Sequence, residues 1–154
     1  MSRTDGGLRA IMHKHLKPFG HCVAIETGLI ASGVPDSNYC INGHELWIES
    51  KHTSAWAVKV RPAQVSWAEQ RVRHGGKVYC AVRRNGSTKA GAYDELWLCT
   101  HGALRWLLGG GTLQDIDAEL VLGSWPVGPT EWPWRTVAHI LTAGAVAQHV
   151  GIRT

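Results

Sequence analysis

The segment Gly33 to Lys51 (GVPDSNYCINGHELWIESK) carries two acids and a lysine at spacings that suit metal-assisted hydrolysis. Asn42-Gly43 in its middle is a strong two-residue hairpin turn, because both residue types tolerate the positive φ of a type I′ turn. With those residues at the turn, Ile41 pairs with His44, and counting outward sets Asp36 opposite Glu49. Lys51 lies two residues past Glu49 and projects from the same face. A turn slipped to Gly43-His44 would set Asp36 opposite Lys51 instead. The three side chains share a face in both registers. Asn38, Cys40, Glu45 and Trp47 fall on that face too, while Tyr39, Ile41, Leu46 and Ile48 form a core stripe on the other.

Two carboxylates facing each other across a sheet repel, and a structural role alone does not account for them. A divalent cation between them does. Mg²⁺ prefers oxygen ligands in near-octahedral geometry, commonly one or two carboxylates completed by water and substrate phosphate. The backbone carbonyl of Ser50 is a further candidate ligand. Such an ion lowers the pKa of bound water and neutralises phosphate charge. Lys51 would orient that water or stabilise the charge that develops in the transition state, acting as a compact point charge. The plain alternative is a surface hairpin with an incidental Glu-Lys pair.

Pro35-Asp36, twelve intervening residues, and Glu49-Ser50-Lys51 together resemble the signature of the PD-(D/E)XK nuclease superfamily. The nearest branches are the Holliday junction resolvase-like and phage-type replication-repair (VRR-NUC) nucleases, and the resemblance covers about residues 5–84. It implies an αβββαβ core, Mg²⁺ with Mn²⁺ as a substitute, and hydrolysis of DNA phosphodiesters. It also implies two further site residues. Relatives often carry an acid upstream of the Pro-Asp that helps to bind metal. Glu26 is the acid found between residues 6 and 35, on a predicted strand or its end rather than on the first helix. Relatives often place Gln on the helix after the lysine, and Gln64 fits. The plainer readings are an exposed Glu before a turn and a helix-surface Gln.

The elements that must hold these residues follow from periodicity and punctuation. Leu8, Ile11, Met12 and Leu16 predict an amphipathic helix over 7–16, ended by Pro18. HCVAIET (21–27) reads as a strand, 28–35 as a loop, and 36–41 and 45–51 as the hairpin. Residues 52–61 read as a loop containing Trp56. Pro62 opens a helix that runs to about His74, where Gly75-Gly76 stops it. Strands follow at 77–83 and 95–100, separated by a polar, Gly-rich loop over 85–91. Gly102 to Leu108 reads as a short helix closed by three glycines. That triplet is not a phosphate loop, since no Lys-Ser or Lys-Thr follows it. Pro126, Pro129 and Pro133 punctuate the C-terminal third, and 134–149 suits a helix packed back on the domain. The expected fold is therefore α/β (α+β): a restriction-endonuclease-like αβββαβ core, its central mixed sheet flanked by helices, with a C-terminal helical extension. One domain is expected over 1–154, the core at about 5–100 and the extension at about 101–154.

Composition narrows the function classes. The chain has 154 residues, 44% of them hydrophobic and 18% charged, an ordinary globular balance. No apolar run suits a membrane span, and Met1 to Gly7 has no secretory h-region, so a cytoplasmic location is expected (host cytoplasm if phage-encoded). The four cysteines form no C-x-x-C pair and read as free thiols. Net charge is +4 with a pI of about 9.0. Basic residues cluster at Arg9–Lys17, at Lys59 and Arg61, at Arg71, Arg73, His74 and Lys77, and at Arg83, Arg84 and Lys89. They suit either solvated faces or a phosphate-binding surface. Trp47 would contact a nucleotide or pack under the following helix. Trp56 would stack on an unpaired base or anchor its loop.

The expectation is a metal-dependent endodeoxyribonuclease acting on duplex or branched DNA. A non-catalytic DNA-binding protein with a nuclease-like fold is the alternative, and an unrelated small α/β interaction protein is a third reading. Paired cuts by so small a domain call for a homodimer or higher homo-oligomer.

Overall fold

The computed structural model describes residues 5–26 and 32–143. The first helix, α1 (Leu8–Leu16), buries Leu8, Met12 and Leu16 at four-residue spacing. Asp5 starts it: its carboxylate accepts from the Gly7 and Arg9 amides at 3.0 and 2.9 Å, supplying partners that a helix N-terminus lacks internally. A single 3₁₀ turn containing Pro18 follows. Next come β1 (Gly20–Ala24), β2 (Ser37–Ile41) and β3 (His44–Thr53), then α2 (Pro62–Arg73), β4 (Val78–Thr88), β5 (Gly91–Thr100), α3 (Gly102–Leu108), β6 (Val121–Trp125) and α4 (Trp134–Ala143).

The six strands form one sheet in chain order. The β3–β4 pair, which α2 connects, is parallel, and every other pair is antiparallel. The sheet is covered on both sides. Leu8, Met12, Leu16, Tyr39, Leu46, Ile48, Val137 and Ile140 belong to one core, between the sheet and α1 and α4. Val65, Ala68, Cys80, Val82, Cys99, Leu104 and Leu107 belong to the other, between the sheet and α2 and α3. The fold is a mixed α+β architecture with helices on both faces, as expected.

The Asn42-Gly43 turn forms in the expected register. Asn42 has φ 51° and Gly43 φ 81°, Ile41 pairs with His44, and Ser37 pairs with Ile48. Two expectations need correction. Residues 85–91 are not a loop: β4 runs to Thr88 and β5 starts at Gly91, so only Lys89 and Ala90 turn the chain. Packing across the strands overrides the local signal. Tyr93 pairs with Gly86 and lies across it, so that a Cβ on Gly86 would stand 2.6 Å from the Tyr93 hydroxyl. The C-terminal third is also not purely helical, because β6 extends the sheet along β5. The last six residues of the helix expected over 134–149, like the end of the strand expected over 21–27 and part of the loop after it, lie outside the described residues. Among the described residues no helix is long and apolar enough to cross a membrane.

Candidate active site

Asp36 immediately precedes β2, and Glu49 and Lys51 stand on β3. The register places Asp36 at the level of Glu49, one step beyond the Ser37–Ile48 pair. The Ser50 amide donates to Asp36 Oδ2 at 3.1 Å, which fastens the approach to β2 against β3. The Ser50–Asp36 contact thus runs through the amide, while the Ser50 side chain is buried. Lys51 Nζ lies 3.4 Å from Glu49 Oε2.

Gln64 joins the acid to the lysine. It sits in the first turn of α2 and is buried. Its Nε2 donates to Glu49 Oε2 at 3.0 Å. Its Oε1 accepts from Lys51 Nζ at 2.8 Å and from the Arg61 amide at 2.9 Å. The reversed amide would set an NH₂ against an ammonium and an N–H, so the neighbours dictate this orientation. The Arg61 contact also caps α2, whose Pro62 needs no N–H partner. One side chain therefore both starts the helix and completes the site.

The electrostatics are those of two acids held together out of water. Burial pushes Asp36 up to about 8, the Glu49 charge adds to this, and the Ser50 amide opposes it. Burial also raises Glu49, against which Lys51 is the main opposing influence. Asp36 Oδ1 is buried and has no hydrogen-bond partner. An enclosed carboxylate oxygen without a donor, facing a second carboxylate, suits a hard divalent cation. Among the described residues no set of three or more His, Cys, Asp and Glu is arranged to hold a metal. Asp36 and Glu49 are the two carboxylates that the cluster itself could offer such an ion.

Glu26 is not brought into this cluster. Its side chain is 81% exposed and lies 3.8 Å from Arg9, although the preceding residue, Ile25, donates its amide to the Asp36 carbonyl at 2.8 Å. Asp5 is instead close enough to Asp36 to help raise its pKa. Its position just before an amphipathic helix was the available sequence signal. Arg61, whose charge opposes the upward shift of Glu49, is a second neighbour that motif spacing did not indicate.

Both tryptophans flanking the site pack. Trp47 meets Trp67 of α2 edge-on at 5.2 Å. Trp56 lies under the Arg84 guanidinium, 3.5 Å from Cζ to the ring centroid, and its carbonyl accepts from Leu113. All four cysteines are free thiols; Cys80 and Cys99 are buried, and Cys22 and Cys40 are partly exposed. No protein-family model matches the chain, and no curated protein matches it significantly.

Proposed function

We propose that this chain is a Mg²⁺-dependent endodeoxyribonuclease with a restriction-endonuclease-like core, its site formed by Asp36, Glu49, Lys51 and Gln64. The observation that carries this reading is the buried, unpartnered Asp36 Oδ1 at the level of Glu49, with Lys51 bonded into the same cluster through Gln64. The order α1-β1-β2-β3-α2-β4 supports it, as does the resemblance of the Pro35-Asp36 and Glu49-Ser50-Lys51 segments to PD-(D/E)XK nucleases.

Asp36 and Glu49 would hold the ion, and the Ser50 carbonyl is the proposed backbone ligand. When bound, Mg²⁺ or Mn²⁺ supplies a Lewis acid that polarises the phosphate and lowers the pKa of water. Gln64 fixes the Glu49 carboxylate and holds the Lys51 ammonium beside it. Lys51 thereby meets phosphate charge without first having to order its long side chain. The proposed substrate is duplex or branched DNA, of the kind cut by Holliday junction resolvase-like and phage VRR-NUC-type enzymes. Cutting two strands in concert would require a homo-oligomer.

Supercoiled plasmid and a four-way junction, incubated with Mg²⁺ or with EDTA, test this directly. The wild type should cut in Mg²⁺ alone, and Asp36→Ala and Glu49→Ala should each abolish cutting while keeping native circular dichroism. A folded wild-type protein that cuts no form of DNA defeats the reading. Salt-dependent DNA binding without turnover would favour a non-catalytic binding protein.

A further inference from the structure

The cluster continues as a groove along α2. Gln64, Trp67 and Arg71 lie three and four residues apart and so share one side of the helix. On β3, Trp47 stands two residues from Glu49 on the same face, about 7 Å along the strand. Arg71 meets both indoles, its Cζ 4.6 Å from the Trp67 centroid and 5.4 Å from that of Trp47. Beyond them lies a groove of about 530 Å³ lined by Trp67, Gln70, Arg71, His74, Gly75 and Gly76. None of these residues is acidic.

Arg71 differs from the paired arginines of this fold. Arg83 holds Asp94 through two bonds, Arg84 bonds Glu95 and the Ala55 carbonyl, and Arg105 holds Glu69. Among the described residues the Arg71 guanidinium meets rings and no hydrogen-bond acceptor. Glu69, the acid on the same helix, is committed to Arg105. Glu45, exposed two residues before Trp47, accepts from Asn38 at 3.4 Å. Gly76 leaves room for the arginine stem, since a Cβ there would stand 2.5 Å from Arg71 Cγ. The result is a charged fork, stiffened by stacking, with its donors free. A guanidinium in that condition matches a phosphate.

We propose that this groove binds the phosphodiester backbone of the substrate strand next to the scissile phosphate, with Arg71 as the phosphate ligand. The inference rests on the nuclease reading and names the surface that reading needs, because two acids and one lysine cannot hold a polyanion in register by themselves. Arg73, exposed on the last turn of α2, adds positive charge to the approach. The same chemistry would suit a free nucleotide, so the test must separate the two sources.

Fluorescence anisotropy of labelled single-stranded and duplex oligonucleotides on the full chain in EDTA measures binding without cutting. Arg71→Ala should weaken binding at least about tenfold and reduce the slope of log affinity against log salt by about 1. Arg135→Ala removes the same charge from the exposed side of α4, on the other face of the sheet, and should leave both near wild type. Gly76→Ala, which crowds the Arg71 stem, should weaken binding in the wild type and add little in Arg71→Ala. The proposal is overturned if Arg71→Ala binds like wild type, or if Arg135→Ala loses as much. Displacement of the label by deoxyadenosine monophosphate as readily as by unlabelled oligonucleotide assigns the groove to free nucleotides and also overturns it. Plasmid cutting by the wild type in Mg²⁺ separates the two readings. Cutting with unaltered Arg71→Ala binding leaves the nuclease and removes the groove. Arg71-dependent binding without cutting supports the groove and removes the nuclease.

Discussion

Asp36 is the residue whose state defines the site. Its carboxyl is held up at about 8, against an ordinary 3.8, chiefly by burial and then by Glu49. A folded-state pKa above the unfolded value means that the folded chain holds the proton more tightly. Stability from this group is therefore full at low pH and is lost as pH rises from about 4 through about 8. Asp36→Asn removes this group's share of the slope and leaves that of Glu49. Metal-free wild type should lose several degrees of melting temperature relative to Asp36→Asn between pH 5 and pH 8, and Mg²⁺ should restore the wild type but not the variant. Thermal melts of both proteins at each pH, with and without the ion, check this; parallel curves would mean that Asp36 ionises freely. That Asp36, Glu49 and Lys51 share one face was legible because strand alternation is a local rule, whereas Gln64 was named only through the resemblance. Asp5 was not, because its closeness to Asp36 depends on how α1 docks, across a sequence gap that no periodicity spans. Glu26 was misleading for the same reason: its place in the chain said nothing of the side it faces.

At the scale of elements, the β2–β3 hairpin converts a spacing into a site, and its turn sets the register. Gly43 has φ 81°, and a Cβ there would meet nothing within 4 Å. A substitution at this position therefore tests backbone conformation without steric clash. Gly43→Val should cost about 1–2 kcal/mol, while Gly43→Asn, a type that visits the left-handed region, should cost clearly less. Urea denaturation reads the difference, and equal losses in both variants would show that φ does not limit the turn. The Asn-Gly signal was readable because it demands a conformation that few other residue pairs accept. The β4–β5 tip gave the opposite lesson. Asn85, Gly86 and Ser87 look like a loop in isolation, yet each pairs with β5. Arg84 stacks on Tyr93 as well as Trp56, and the Tyr93 hydroxyl donates to the Ser54 carbonyl. Those contacts come from distant parts of the chain, so a local window could not contain them.

The whole molecule behaves as one unit because its two cores share a sheet. Successive residues of β4 feed opposite layers: Tyr79 and Ala81 point toward α1 and α4, Val78, Cys80 and Val82 toward α2 and α3. The Tyr79 hydroxyl donates to the Leu141 carbonyl at 2.9 Å, tying α4 to the central strands. α4 buries Val137, Ile140 and Leu141, where the sequence suggested only a helix over 134–149 packed back on the domain. It could not show that this helix lies beside α1 and so completes the layer behind Tyr39 and Ile48, the core side of the β2–β3 hairpin. Nor could it show that β6 joins the sheet between α3 and α4. The C-terminal third is thus part of the support of the site. Ile140 is fully buried, and Ile140→Ala should cost about 2–5 kcal/mol. Because β3 and β4 belong to both cores, the loss should appear in a single transition rather than as local detachment of α4. Tryptophan fluorescence and far-ultraviolet circular dichroism followed through the same urea titration decide the matter. Coincident curves shifted to lower urea are expected. An early fluorescence change from Trp132 and Trp134, preceding loss of the strand signal, would show instead that α4 is a separable cover and that the hairpin stands without it.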